Sequence, residues 1–248
     1  MEVHHHPDIH HKPKAWKEYF LEGFMIFVAV MLGFFAEGLR ENIGDRQKEK
    51  EYIASFIKNL QNDTSNLKAT ILENQWKIKG LDTLLSLSFK NMDETKTRRL
   101  FYTYVSKYTS LTSVFISNDA TMMQLKNAGG LRFVRQNHVA DSIANYDFAV
   151  RDIYLSQIPY SKAINDVMDA AQELLDDNIY KDSTYFKNGS FTGKTLPLLT
   201  SDPQKIKIFF NKVSYERGWT LNYVNNLEAW LPFAINLMDF LKKEYGAE

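Results

Sequence analysis

The sequence predicts an all-α protein: an N-terminal transmembrane helix that continues into a long amphipathic helix, followed by a helical bundle with one long irregular connection. Three observations predict this class. An apolar run occupies residues 19–39, apolar residues recur at helical spacing through most of the remaining chain, and strand signals are sparse. We divide the chain into a tail rich in histidine and lysine at 1–17, a transmembrane helix at 18–40 and a helical soluble domain at 41–248.

Composition excludes several classes of function. The 248 residues include 30 basic and 30 acidic side chains and no cysteine. Without cysteine there is no disulfide, no thiolate nucleophile and no cysteine metal site. Because the charges balance and no basic stripe follows the chain, nucleic acid is not expected as a partner.

The apolar run is long enough to cross a membrane. From Tyr19 to Leu39 there are 21 residues, which as a helix cover about 31 Å, close to the hydrocarbon thickness of a bilayer. No small-residue cleavage site follows, which favours an uncleaved anchor over a signal peptide. A buried core helix is disfavoured because aromatic and basic residues flank the run, as they do at a membrane interface. The predicted interface residues are Trp16, Lys17, Tyr19 and Arg40.

The run has two different faces when it is projected at 100° per residue. One face is bulky and suits lipid, and the other is small and acidic. Small residues let a second helix approach closely, so we predict that the small face contacts a second copy or another membrane protein. The two glutamates could instead reach the headgroups as interfacial acids, or line an ion or proton path. The association face comprises Glu22, Ala29, Gly33, Ala36 and Glu37.

Orientation in the membrane is only weakly encoded. Lysines precede the run at 12, 14 and 17, and basic residues follow it at 40, 46, 48 and 50. The positive-inside rule therefore discriminates little between the two orientations. We predict a cytoplasmic N-terminus and a periplasmic C-terminal domain.

The histidine-rich start is a candidate metal site. Neutral imidazoles and a carboxylate are competent ligands for zinc, nickel or copper. The spacing matches no closed structural zinc site, and prolines at 7 and 13 prevent a regular helix from aligning the ligands. The alternative is a polar tail that becomes cationic as the pH falls towards the imidazole pKa. The candidate ligands are His4, His5, His6, Asp8, His10 and His11, and no other cofactor is predicted.

A long amphipathic helix is predicted after the span. No helix breaker lies between Asp45 and Lys79, and Gly44 and Gly80 bracket this stretch. At 1.5 Å per residue the helix is about 50 Å long. A short helix follows at 80–89. The long helix carries an apolar stripe at i, i+4, i+7 spacing, made of Ile53, Ile57, Leu60, Thr64, Leu67, Ile71 and Ile78.

Capping residues, glycines and prolines predict where the later helices begin and end. Asn91 and Glu94 form a capping box that opens a helix to about residue 107, and a second helix runs from 118 or 119 to a left-handed glycine at 129 or 130. Pro159 should separate helices at about 137–157 and 160–176.

The C-terminal part contains the irregular connection and two more predicted helices. The connection spans about 177–200, where Asn188 and Gly189 between aromatic residues predict a small hairpin. Asp202 as N-cap opens a helix that ends near residue 218. The last helix carries an apolar stripe from 221 to 241 and should be kinked at Pro232.

No catalytic residue is predicted. The stretch GSFTGKT at 189–195 has three residues between its glycines, where a phosphate loop needs four. His138 stands alone on a helix, and the acidic residues between 166 and 177 lack the Glu-x-x-His pairs of a di-metal bundle. We therefore predict that the protein is not an enzyme.

Three segments carry a resemblance to a known group of proteins. They are HHHPDIHHKPKAWKEYFLEGFMIFVAVMLGFFAEGLREN at 4–42, KEKEYIASFIKNLQNDT at 48–64 and ATMMQLKNAGGLRFVRQ at 120–136. Over most of its length the chain resembles an uncharacterised Bacteroidota family of single-pass inner-membrane proteins with a helical soluble domain of unknown function. The resemblance implies a helical domain on a bacterial inner-membrane anchor. It implies no catalytic position.

Three functions remain open at this point. The first is a non-enzymatic, membrane-anchored scaffold or accessory subunit of an envelope complex, which oligomerises through its transmembrane helix. The second is a periplasmic small-molecule sensor bundle that signals through a partner. The third is a metal-handling protein that uses the N-terminal histidines, possible ligands of zinc or nickel.

Overall fold

The computed structural model describes residues 15–127 and 129–246. The chain forms two compact units, of which the first ends at Glu51 and the second begins at Tyr52. The described residues contain little strand, so the predicted all-α class with a helical bundle is confirmed. Its helices are α1 (Trp16–Ser86), α2 (Thr95–Tyr104), α3 (Ala120–Asn127), α4 (Asn137–Gln172) and α5 (Pro203–Tyr245), and its antiparallel strands are β1 (Phe186–Lys187) and β2 (Ser190–Phe191).

The N-terminal stretch of α1, at residues 16–39, is mostly apolar and uncovered. Every residue from 16 to 44 is exposed except Val28, which is half-buried. This part holds a stretch long and apolar enough to cross a membrane, near the N-terminus of the chain, and none of that stretch is buried. Gly44 does not interrupt the helix, so the predicted continuation of the apolar helix into the amphipathic helix is confirmed.

The helix end predicted at Gly80 is wrong, because α1 continues through this residue to Ser86. A separate helix at 80–89 therefore does not form, and a single turn of 3₁₀-helix at Leu87–Phe89 follows α1. A Cβ atom at Gly80 would overlap the ring of Tyr108. The ring of Tyr108 also lies 4.7 Å from that of Trp76. Glycine at position 80 thus allows an aromatic ring to lie against the backbone of α1.

Two prolines predicted to stop or kink helices lie inside them. Pro159 lies within α4 and Pro232 within α5. Each proline removes one backbone hydrogen bond. Around Pro159, Ile153, Tyr160 and Ala163 are buried in the core, and burial of these side chains outweighs the lost bond. The helix end predicted near residue 218 is also absent. Residues on both sides of Gly218 are buried in the bundle, and this burial favours a continuous helix.

In the second unit α5 is antiparallel to both α4 and the final part of α1. His138 near the start of α4 lies against Phe240 near the end of α5, with ring centroids 5.7 Å apart. At the other end, Lys205 at the start of α5 pairs with Glu173 just after α4 at 3.2 Å. The side chain of His138 is otherwise exposed.

Two apolar clusters form the core of the second unit. The larger one contains Phe56, Leu60, Phe115, Val139, Tyr160 and Leu227, among others. The second contains Leu81, Phe101, Val167, Leu196 and Phe209, among others. Helices α1, α4 and α5 contribute side chains to both clusters. In the predicted stripe of α1, Ile78 is only partly buried, whereas Ile53, Ile57, Leu60, Leu67 and Ile71 are buried.

The irregular connection and its hairpin are confirmed. Between α4 and α5 the chain forms one 3₁₀ turn at Asp177–Tyr180 and the hairpin β1–β2. Asn188 and Gly189 have positive φ values of 54° and 76°, as the two-residue turn requires. The connection is held to the bundle, since the Tyr102 hydroxyl donates to the Pro197 carbonyl at 2.5 Å.

The capping predictions were right at two helix ends and wrong at a third. The Asp202 side chain accepts from the backbone N–H of Gln204 at 2.8 Å. Gly129 is left-handed, with φ 66°. The capping box at Asn91 does not form. The Asn91 side chain accepts from the backbone N–H of Asp93 in a local turn, and the side chain of Glu94, the N-cap of α2, accepts from no backbone N–H of the helix.

Candidate functional site

The predicted association face lies on the uncovered part of α1. All five of its members are exposed in the single chain. A Cβ atom at Gly33 would have no neighbour within 4 Å. Within the described residues, the face therefore has space for a second helix. Its members are Glu22, Ala29, Gly33, Ala36 and Glu37.

One member of this face pairs with a predicted interface residue. The Arg40 Nη2 atom lies 2.5 Å from Oε1 of Glu37, and its Nε atom donates to Oε2 at 3.0 Å. Both side chains are largely exposed, so the pair contributes little to stability. Trp16, Lys17 and Tyr19 are also exposed, one to two turns before the most apolar part of the helix.

The candidate metal ligands in the tail, at positions 4, 5, 6, 8, 10 and 11, lie outside the described residues. Among residues 15–127 and 129–246, no group of three or more histidine, aspartate or glutamate side chains could hold a metal ion. The acidic residues between 166 and 177 accordingly form no such group.

A segment without regular secondary structure crosses the second unit between its long helices. It comprises residues 111–118, between the π-helical turn Val105–Thr109 and α3. Ser113 and Phe115 are buried within it. A buried backbone needs hydrogen-bond partners, and a sheet would normally supply them. Here side chains from three helices supply them instead, and we name residues 111–118 the anchored segment.

The first anchors come from α1 and from the second half of α4. Asn74 donates to the carbonyl of Ser113 at 2.9 Å, and its own carbonyl oxygen accepts from the Tyr160 hydroxyl at 2.8 Å. The Tyr160 hydroxyl in turn accepts from the backbone N–H of Ser113 at 3.3 Å. Both backbone groups of Ser113 are therefore satisfied by side chains.

The remaining anchors repeat this pattern along the segment. The backbone N–H of Phe115 donates to the Tyr223 hydroxyl at 2.8 Å, and its carbonyl accepts from Gln157 at 2.7 Å. Two residues further, the N–H of Ser117 donates to Tyr154 at 3.0 Å. Residues 113, 115 and 117 are thus bound at every second position, as on one edge of a strand, and Lys77 binds the carbonyl of Leu111 in the same register.

A buried ion pair lies at the beginning of the anchored segment. Lys77 of α1 and Glu216 of α5 have fully buried side chains, and Nζ lies 2.8 Å from Oε1. Nζ also donates to the carbonyl of Leu111 at 2.6 Å and lies 5.1 Å from the centre of the Tyr160 ring. Neither carboxylate oxygen of Glu216 accepts a well-directed hydrogen bond, although Oε1 is at ion-pair distance.

Burial shifts the acidities in this network. It raises the pKa of Glu216 to about 7, against the opposing effect of the Lys77 charge. Burial likewise lowers the pKa of Lys77. The pKa values of Tyr160 and Tyr223 are raised by burial, so both hydroxyls keep their protons at neutral pH. These groups are enclosed by protein, and their arrangement positions a backbone segment.

A cleft opens beside the other end of the anchored segment, with a volume of about 320 Å³. Its apolar wall includes Phe56, Met122 and Val150, and its polar wall includes Asp63, Tyr146 and Tyr154. This volume falls in the range of small-molecule sites, which combine apolar walls with a few polar groups. We name it the Asp63 cleft.

Asp63 is fixed by two hydrogen bonds in the wall of this cleft. Its Oδ1 atom accepts from the backbone N–H of Asn118 at 2.7 Å, and Oδ2 accepts from the Tyr146 hydroxyl at 2.7 Å. Asp63 is only 1% exposed. Burial raises its pKa, while the two hydrogen bonds act in the opposite direction.

The rim of the cleft is charged. Asp147 accepts from Lys126 at 2.9 Å and lies 3.2 Å from Arg151, so one carboxylate serves both basic groups. Asp119 also lines the cleft and is exposed. In the parts of the chain that the structure describes, neither Asp63 nor Asp119 has an ion pair with a basic side chain.

Comparison of the chain with protein-family models, curated proteins and solved structures gave no match.

Sequence reasoning missed both the anchored segment and the Asp63 cleft. One signal was present, since Asn74 lies three residues after Ile71 and continues the apolar stripe of α1 with a polar side chain. Glu216 likewise lies three residues after the buried Val213. A polar residue at a core position needs a partner, but the tertiary partners of Asn74 and Glu216 are 39 to 139 positions away along the chain.

Proposed function

We propose that this protein is a membrane-anchored helical scaffold or accessory subunit of an envelope complex, without enzymatic activity. The observation that carries the proposal is the uncovered apolar stretch of α1, none of which is buried. Water disfavours an exposed apolar surface of this size, and a bilayer removes that cost. The absence of a small-residue cleavage site after the stretch supports an anchor over a cleaved signal.

Extraction of native membranes tests the anchor. We expect the protein to stay in the membrane pellet after washing with alkaline carbonate, and to dissolve only in detergent. The mass of the purified chain should include residues 19–39. A chain that is released by carbonate, or that begins after Ala36, would contradict the proposal.

We further propose a location in the bacterial inner membrane with the N-terminus in the cytoplasm. The resemblance to single-pass inner-membrane proteins supports this location. Alkaline phosphatase fused after Glu248 should be active, because that enzyme requires the periplasm, whereas β-galactosidase at the same site should be inactive. The reverse pair of activities would place the C-terminal domain in the cytoplasm.

Self-association through the small face of α1 completes the proposal. The open space at Gly33 supports it, because small residues in membrane helices allow close packing. Gly33→Leu should abolish the self-association signal in a membrane two-hybrid assay. Gly38→Leu is the matched control, since Gly38 lies on the opposite face and is equally open. Equal signals from both variants would remove the oligomer from the proposal.

A small-molecule sensor is the second candidate function, and the Asp63 cleft is the observation that favours it. A cleft with fixed polar groups and apolar walls in a helical bundle is a place for a ligand. A sensor that signals through the association of α1 should change the two-hybrid signal when its ligand binds. In a pure scaffold, that signal stays constant.

A further inference from the structure

We propose that the Asp63 cleft binds an organic cation: a primary amine carried on an apolar or aromatic body. The proposal deepens the second candidate function, because it assigns a ligand class to the same cleft. It depends on three features of the cleft, which are its surplus negative charge, the fixed orientation of one carboxylate and the composition of its walls.

The charge of the cleft favours a cation. Lys126 and Arg151 on the rim both face Asp147, which engages them. Asp63 and Asp119 add two further carboxylates, and no basic side chain within the described ranges forms an ion pair with either. The lining therefore has one negative charge more than it has positive charges when all of its carboxylates are ionised. An ammonium group would complete this charge balance inside a partly dry site.

Asp63 is oriented to receive such a group. The N–H of Asn118 and the hydroxyl of Tyr146 each occupy one carboxylate oxygen. Each oxygen retains a second lone pair, so it can accept from an ammonium while both protein bonds persist. Because these bonds hold the carboxylate in place before a ligand arrives, binding loses little side-chain freedom.

The walls suit the body of the ligand. Phe56, Met122 and Val150 are buried and apolar, and Met123 on the rim is half-exposed. The rings of Tyr146 and Tyr154 also line the cleft. Aromatic faces attract cations, and methionine side chains adapt to apolar groups of different shapes. The cleft thus combines a carboxylate for the amine with an apolar surface for the rest of the molecule.

Calorimetric titration of the full chain in detergent tests the proposal with probes of one shape. Phenethylammonium is the cation, 2-phenylethanol the neutral analogue, phenylacetate the anion and phenylalanine the zwitterion. We expect saturable binding of phenethylammonium and at least tenfold weaker binding of the other three. No binding of the cation, or equal binding of the neutral analogue, overturns the proposal. Preferred binding of phenylalanine overturns it in favour of an amino-acid site.

Variants locate the binding. Asp63→Asn should weaken the binding of phenethylammonium at least tenfold, because an amide carries no negative charge. Met123→Trp should block the cleft at its rim, and Met123→Leu is its matched control and should bind like the parent. Asp119→Asn should weaken binding of the cation without disturbing the core, because Asp119 is exposed. This variant replaces Asp63→Asn in the test if Asp63→Asn fails to fold. Parental affinity in both Met123→Trp and Asp119→Asn overturns the proposal.

Ligand titration and the self-association assay together distinguish failure of the ligand class from failure of the sensor function. If phenethylammonium binds as expected but the self-association of α1 stays constant, the ligand class holds and the sensor function fails. If no probe binds while self-association depends on Gly33, the scaffold holds and the ligand class fails.

Discussion

Lys77 and Glu216 form a buried ion pair whose main effect is on which residues meet, and less on overall stability. Moving two charges from water into a protein interior costs several kcal/mol per ion, and their attraction returns that energy only with good geometry. Here Glu216 has no well-directed hydrogen bond beyond its contact with Lys77. The pair therefore serves to fix which residues meet at this point, and Lys77 additionally holds the carbonyl of Leu111.

Removal of one partner should be much worse than removal of both. We expect Lys77→Met to lower the free energy of unfolding by about 3–5 kcal/mol, because it leaves a buried carboxylate without a partner. The double variant Lys77→Met/Glu216→Leu should recover most of that loss. Urea denaturation of the full chain in detergent measures both.

An exposed ion pair provides the matched control for this comparison. Lys205 and Glu173 lie 3.2 Å apart with side chains about half-exposed. Lys205→Met should change the free energy of unfolding by less than about 1 kcal/mol. If Lys77→Met/Glu216→Leu is no more stable than Lys77→Met, the buried pair of Lys77 and Glu216 is a net source of stability.

Glu216 should also make stability depend on pH. Its pKa in the folded protein is about 7, against an ordinary value of 4.5. Between these values the folded chain binds more protons than the unfolded chain, so the free energy of unfolding falls as the pH rises from about 4.5 to about 7. One group contributes at most about 1.4 kcal/mol per pH unit.

Denaturation in urea at several pH values checks this dependence. Glu216→Gln should flatten the decline between pH 5 and pH 7. Asp63→Asn is the comparison, because it removes the other buried carboxyl whose pKa is raised and leaves the contribution of Glu216 in place. An unchanged slope in Glu216→Gln would contradict the assignment.

At the scale of the elements, glycine and proline have meanings that depend on their surroundings. Gly80 lies in the interior of α1 because the ring of Tyr108 leaves no space for a Cβ atom. Gly218 lies inside α5 with nothing within 4 Å of the same position. A sequence rule treats the two glycines alike. In the structure, a side chain is sterically excluded at Gly80 and has open space at Gly218.

Alanine at these two positions should therefore have opposite effects. Gly80→Ala should lower the free energy of unfolding by about 1–3 kcal/mol, because Tyr108 must move. Gly218→Ala should raise it by roughly 0.5–1 kcal/mol, since alanine loses less backbone freedom in a helix. Thermal unfolding followed by circular dichroism compares them, and effects of equal sign would contradict the packing described at Gly80.

The helix boundaries show what sequence patterns can and cannot predict. The stripe of α1, the cap at Asp202 and the turn at Asn188 were predictable because each depends on neighbours within a few residues. The breaks predicted at Gly80, at Pro159 and near residue 218 were wrong, because local sequence rules do not include the energy of burial against distant helices. The anchored segment and the Asp63 cleft depend entirely on such distant contacts.

At the scale of the whole molecule, the stable core belongs to one part of the chain. The buried apolar residues run from Ile53 to Leu241, all in the second unit. Helices α1, α4 and α5 supply both apolar clusters, so those clusters should unfold together in a single transition.

A chain that begins at Asp45 tests this division. It should remain in solution without detergent, because it lacks the uncovered apolar stretch, and should unfold in one transition. Its urea midpoint should equal that of the full chain when both are measured in the same detergent. Aggregation of the shortened chain, or two separate transitions, would show that residues before 45 are required for the fold.

The anchored segment restricts how this protein can change in length. A strand in a sheet can slip by two residues and find equivalent partners, because the neighbouring backbone repeats. Residues 111–118 have no such repeating neighbour, since every second residue meets different side chains, which come from α1, α4 and α5. Inserting or deleting one residue here would misalign all later anchors at once. We therefore expect this stretch to tolerate substitutions better than changes of length, and we expect insertions to be tolerated in places such as the hairpin at 186–191.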